Sequence, residues 1–249
     1  MGTQQIAAAN HSGLQTALDV IVAPKTAFHA LRDVPTWGWA FAIATVLGVI
    51  ASIVISPAIA HALSVEMPAR LAASPQLASM PADRRDALIA QQIAFAATFA
   101  KFAFIFIPIA IGLAGLFQAL IMLVANAIGK GDGTFKKFWA VSVNASIAGV
   151  GLSSIVLMIV VLVRGMDSFS STAEVTGSVP NLAMLVPGAS KRVAAFFGVM
   201  NVFAIWAVVL MALGMEIVGR IPRGVAAAAA IVMLLLSGVF PLFAALAQR

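Results

Sequence analysis

Five apolar runs decide what this chain can fold into. They occupy residues 37–55, 102–128, 138–163, 193–218 and 224–246, and across all of them the only charged side chain is Glu216. A helix needs about 20 mostly apolar residues to cross the hydrocarbon core of a bilayer. Backbone groups in lipid must bond within their own element, so each run is predicted to be a helix. Alternating strand patterns are absent, which argues against a membrane barrel. The predicted fold is therefore all-α: a polytopic membrane helix bundle with five spans over 37–249, preceded by an amphipathic cytoplasmic segment over 1–36. Composition agrees. Charged residues make up 10% of the chain, against roughly 25% in soluble domains, too few to cover a globule in water.

The segment "GLQTALDVIVAPKTAFHALRDVPTW" carries apolar residues at helical spacing, with Leu14, Ala17, Leu18 and Ile21 on one face. Pro24 suits the first turn of a second short helix bearing Phe28 and Leu31. Such a pair lies either along the membrane surface or against the end of the bundle. The first apolar run begins near Trp37, too far into the chain for a secretory signal, and no cleavage is expected. Between the first two runs, "PADRRDALIAQQ" reads as a solvated helix. Residues 164–192 are rich in Ser, Thr, Gly and Pro and read as an irregular, mobile loop.

The formal charge of +6 is assigned to contact with anionic headgroups. No basic–aromatic stripe points to nucleic acid. The chain has no cysteine, which excludes disulfides and thiolate metal sites. His11, His29 and His61 all lie outside the runs, so axial haem ligands within the bilayer are missing. No cofactor or metal is expected. Placing the N-terminus in the cytoplasm puts Lys25, Arg32, Lys130, Lys136, Lys137, Arg220 and Arg223 inside. Arg70, Arg84, Arg85, Lys101, Arg164, Lys191, Arg192 and Arg249 are then outside. The two shortest loops hold five of the inner charges, and their density favours N-in and C-out.

The stretch "NAIGKGDGTFKKFW", from Asn126 to Trp139, resembles a phosphate cradle at first sight. A Walker loop needs glycines followed by Lys-Ser/Thr between a strand and a helix. Here Lys130 precedes two of the glycines, and the preceding element is a membrane helix. The stretch is instead a helix-ending turn. Gly129 is expected in the left-handed conformation, and Thr134 is expected to cap the next helix. Lys136 and Lys137 then sit in a first turn, where the macrodipole disfavours cations. Together with Lys130, Arg220 and Arg223 they are expected to meet lipid phosphates. "EIVGRIPRG" repeats the pattern polar-x-x-Gly-basic at the end of the fourth run, which points to two related hairpins.

Glu216 and Arg220 are spaced for an ion pair on one helix face. Asn126, Asn144 and Asn201 fall within runs and are expected to act as hydrogen-bonding glue between helices. A transporter or channel subunit would need those asparagines and Glu216 to line a water-filled path. An intramembrane enzyme would need a nucleophile and base, and no His or Cys lies within the runs. The preferred reading is a non-catalytic protein that organises or scaffolds a membrane assembly through lipids, other membrane subunits or copies of itself.

Three stretches resemble the bacterial branch of the Yip1 family. They are "IVAPKTAFHALRDVPTWGWAFAIA", "IGKGDGTFKKFWAVSVNAS" and "WAVVLMALGMEIVGRIPRGVAAAAAIVMLLL". The resemblance implies five spans, a cytoplasmic N-terminus and a place in a bacterial inner membrane. Eukaryotic relatives associate with Rab-type GTPases and with one another in vesicle traffic. Their acidic-Leu-Tyr-Gly-Pro motif is absent here, and "VSVNASIAGVG" replaces the usual Gly-Tyr…Pro feature, so that role is not implied.

Overall fold

The computed structural model describes residues 12–72, 77 and 79–246, with side chains to 242 apart from that of 240. His11 and Arg249 lie outside the described residues. Helices α1 (Gly13–Val22), α2 (Pro24–Asp33) and α3 (Gly38–Ala72) come first. They are followed by α4 (Ala82–Phe102), a 3-10 turn at Ala103–Ile105 and α5 (Phe106–Gly129). After a tight turn come α6 (Phe135–Ser146), a π-helical stretch at Ile147–Leu152 and α7 (Ser153–Arg164). Short α8 (Thr172–Thr176) and α9 (Lys191–Gly198) precede α10 (Val202–Val218) and α11 (Arg223–Leu246). The described residues contain no strand, only one isolated bridge between Asn181 and Asn201.

Three continuous helical stretches are long and apolar enough to cross a membrane: Gly38–Ala72, Ala82–Gly129 and Phe135–Arg164. Helices α10 and α11 are further apolar helices. Three boundaries differ from the expected runs, each for a local reason. Helix α3 was expected to stop at Ser56-Pro57 but continues to Ala72. Pro57 cannot donate to the Ile53 carbonyl; the Ser56 hydroxyl does so instead, at 3.0 Å. The second run opens with a 3-10 turn because Pro108 lacks the N–H that would bond residue 104 and falls in the first turn of α5, where proline is tolerated. The fourth run is two helices, because Asn201 caps α10. Its Oδ1 accepts from the Phe203 and Ala204 amides at 3.0 and 2.8 Å.

The described residues divide into two compact units. The first joins the chain up to Leu47 with Pro108–Ser153 and the chain from Pro180. Its core gathers Val20, Phe28, Leu31, Met122, Phe138, Val141, Leu210 and Met215, all buried. Helix α2 packs on α10 and α6 through Ala27, Phe28 and Leu31. Of the two placements open to it, α2 thus takes the one against the bundle. Helix α1 buries Thr16, Ala17 and Val20 and leaves Leu14, Leu18 and Val22 exposed. Trp206, whose mid-run position predicts a place in the bundle core, is instead exposed.

The second unit comprises Gly48–Ile107 and Ser154–Val179. Ile55, Ala58 and Ala62 of α3 pack with Val161, Phe169 and Val175. The segment expected to be irregular and mobile is here held by carboxylates. Glu66 accepts from the Thr172 amide at 3.1 Å and its hydroxyl at 3.2 Å. Glu174 pairs with Arg164 at 2.6 Å and accepts from the Ser170 amide at 3.0 Å. The Ser170 amide, then Arg164, then the Ser170 hydroxyl hold the Glu174 carboxyl down at about 2. Arg164 also lies 4.3 Å above the centre of the Phe169 ring, so one cation joins the carboxylate to the apolar cluster.

Candidate functional site

The two turns singled out by the sequence meet in space, within the first unit. The amide of Asp132 donates to the Gly219 carbonyl at 2.9 Å. Arg220 Nη1 stands 3.3 Å from Asp132 Oδ2. Asn126 closes its own turn from the side: its Oδ1 accepts from the Gly133 amide at 3.0 Å, and its Nδ2 donates to the Gly133 carbonyl at 3.3 Å. Asn126 is therefore a brace for the turn at the end of α5.

Close packing explains the glycines. A Cβ on Gly131 would strike Asn126 Oδ1 and the Gly219 carbonyl. A Cβ on Gly129 would come within 2.8 Å of Ile221 and 2.9 Å of Pro222. Phe138, fully buried, fills the space beside Gly133 and Gly219. The glycines let two backbones touch.

Gly129 was expected to take the left-handed conformation that ends α5. It is Lys130 that does so, at φ 52°, and Arg220 does the same in the second turn, at φ 50°. Among the described residues these are the only non-glycine positions with positive φ. An L-residue there costs about 1 kcal/mol or more. The two turns thus share a conformation as well as a sequence pattern. Thr134 occupies the cap position of α6, but its hydroxyl makes no capping bond; its carbonyl accepts from the Phe138 amide at 3.0 Å.

Glu216 does not pair with Arg220 as its spacing suggested. Helix α10 ends at Val218, and the left-handed Arg220 backbone takes that side chain off the helix face, toward Asp132. Glu216 instead faces Arg223 at 3.9 Å. Lys130, Lys136 and Lys137 form no ion pair among the described residues; Lys130 and Lys136 are exposed and Lys137 is half-buried.

Several other polar side chains of the first unit are engaged with protein groups, whereas the buried Thr45 hydroxyl has no partner among the described residues. Asn144 donates to the Thr36 carbonyl at 2.9 Å and to the Ala140 carbonyl at 2.8 Å, tying α6 to the linker before α3. The Ser142 hydroxyl donates to Gln118. Asn201 Nδ2 reaches Ser153 Oγ at 3.4 Å. Gln118 and Ser142 were not singled out from the sequence; a polar residue on each of two facing apolar helices was the available signal. No group of three or more metal-ligating side chains occurs among the described residues.

Long apolar helices joined by short glycine-packed turns, with polar groups paired inside, define an integral membrane protein of the all-α bundle class. The Yip1 domain matches residues 18–245, and the chain belongs to that family. It is 28% identical over 230 residues to membrane protein YknW of Bacillus subtilis (strain 168), covering 91% of this chain and 88% of that one. No solved structure matches it significantly.

Proposed function

We propose that this protein is a non-catalytic, five-span organiser of a bacterial inner-membrane assembly, with the paired turns as its cytoplasmic, anionic-lipid-binding face. One observation carries the reading. At both left-handed turn positions a glycine would be cheapest, yet Lys130 and Arg220 stand there. Lys136 and Lys137 add cations at the N-terminus of α6, against its macrodipole. Four charges placed against local backbone preference imply a use for the charge itself. Asp132 meets Arg220; for the three lysines, which form no ion pair among the described residues, lipid phosphates at a bilayer surface are the available anions. In this reading the five apolar runs are the spans, the fourth crossing through α10 alone, with the N-terminus and the turns inside and the C-terminus outside.

The polar side chains of the first unit support an organising role over transport. Asn126, Asn144 and Asn201 spend their hydrogen bonds on turns, caps and linkers. The test is purification in native-membrane nanodiscs, with identification of bound lipids and proteins. Lys130→Gly combined with Lys136→Gln and Lys137→Gln is expected to lose enrichment of phosphatidylglycerol and cardiolipin over phosphatidylethanolamine, at a melting temperature no lower than that of the parent chain. Lipid content equal to that of the parent chain removes the lipid-binding reading. A chain that purifies alone and monomeric ends the organising one.

A further inference from the structure

The fourth apolar run is interrupted, and the interruption makes a surface of its own. The amide of Leu182 donates to the Met200 carbonyl and the amide of Val202 to the Pro180 carbonyl, both at 3.2 Å. These bonds close the base of an excursion that holds a 3-10 turn, Leu182–Leu185, and α9. At its tip Met184, Leu185 and Val186 are 56%, 76% and 37% exposed. Pro187 and Gly188, the latter at φ 81°, turn the chain back. Lys191 and Arg192 begin α9, again at an end where the macrodipole disfavours cations.

Helix lengths place this excursion in depth. Helix α10 has 17 residues, about 25 Å at 1.5 Å per residue. It ends at the paired turns, so Asn201 at its other end stops short of crossing a hydrocarbon core about 30 Å thick. Helix α9 packs on α11 at Gly238, where a Cβ would come 2.7 Å from the Phe196 ring and 2.8 Å from the Phe196 carbonyl. Gly238 stands about 23 Å along α11 from Arg223 at the same rise. Both measures put the base of the excursion, and α9, within the far leaflet.

We propose that Leu182–Gly198 is a re-entrant element seated in the leaflet opposite the Lys130 and Arg220 turns. Met184, Leu185 and Val186 lie among acyl chains, and Lys191 and Arg192 reach phospholipid phosphates. The proposal rests on the reading of α10 and α11 as spans. Irregular backbone at this depth is tolerated where its polar groups are satisfied. The bonds to Met200 and Pro180 do so at the base, the amides of Met184, Val186 and Ala189 donate to the carbonyls of Asn181, Ala183 and Val186 within the tip, and α9 packs on α11. Lys191 and Arg192 have stems long enough to bring their charges to the headgroups.

The absence of cysteine makes the test direct. Leu185→Cys and, separately, Ile231→Cys on the exposed side of α11 are labelled with a polarity-sensitive nitrobenzoxadiazole dye. The proteins are reconstituted in phosphatidylcholine–phosphatidylglycerol vesicles, with or without brominated acyl chains. The expected result is blue-shifted emission at 185, at least twofold quenching by brominated lipid, and little quenching by aqueous iodide. Iodide-accessible, red-shifted emission at 185 with brominated-lipid quenching at 231 overturns the re-entrant element and leaves the spans intact. Blue-shifted emission at 185 that brominated lipid does not quench assigns the tip to a protein contact and also overturns it. Failure of quenching at 231 removes the span reading itself.

Discussion

The amide of Asp132 donates to the carbonyl of Gly219 across 2.9 Å, joining the turn after α5 to the turn after α10. The bond requires close backbone approach, and Gly131 permits it. Side-chain volume at position 131 would fall on Asn126 Oδ1 and on the Gly219 carbonyl itself. The bond also explains why Asp132 faces Arg220 although the two charges belong to different hairpins.

Gly131→Ala is therefore expected to destabilise the chain through overpacking, by about 1–3 kcal/mol. Thermal unfolding in detergent would show a lower melting temperature. An unchanged value would mean that the two turns are free to separate at little cost.

Asn126→Ala removes both side-chain bonds to Gly133 and leaves two half-buried backbone groups to find water. A cost of about 1–2 kcal/mol is expected. Asp132→Ala, which deletes an ion pair whose side chains are 61% and 50% exposed, should cost less than about 1 kcal/mol. Ranking the two by melting temperature tests whether hydrogen bonding or charge holds the junction.

Phe28→Ala opens a cavity between α2, α6 and α10, because the ring is fully buried and lies beside Gly214. A loss of about 3–5 kcal/mol is expected. Trypsin should then cut faster at Lys25 and Arg32, since α2 is held on the bundle chiefly by Ala27, Phe28 and Leu31. Cleavage at the parent rate would argue that the linker bond from Asn144 to Thr36 holds the helix instead.

Glu174 gives a pH dependence with a definite sign. Its folded pKa is depressed from 4.5 to about 2, first by the Ser170 amide. Its contribution to loop order is full above about pH 4.5 and is lost as pH falls through about 2. Glu174→Gln should loosen residues 165–179 at neutral pH, read as faster amide hydrogen exchange there. Pepsin cleavage of that loop, compared between the two proteins at each pH, should converge as pH drops from 4.5 toward 2.

The membrane class was legible in the five apolar runs because hydrocarbon imposes a length and a backbone rule on any helix that crosses it. The amphipathic pattern that buries Phe28 and Leu31 was legible for a similar reason: period 3.6 identifies the buried face. Helix ends were less so. Ser56 carries α3 past Pro57 through one hydroxyl bond, and Asn201 breaks the fourth run with a cap in the midst of apolar sequence. Hydropathy averages over such single bonds.

The sequence alone determined the fold class, the family likeness and the pairing of the two Gly-basic turns as a pattern. All three depend on interactions summed along a helix or repeated within a few residues. Tertiary structure decided what that pattern does. Only the meeting of Asp132 with Gly219, and of Arg220 with Asp132, shows that the glycines serve backbone contact and that Glu216 is left to Arg223. Such contacts join residues far apart in the chain, so the geometry of each depends on how α5, α6, α10 and α11 pack, which no local spacing encodes.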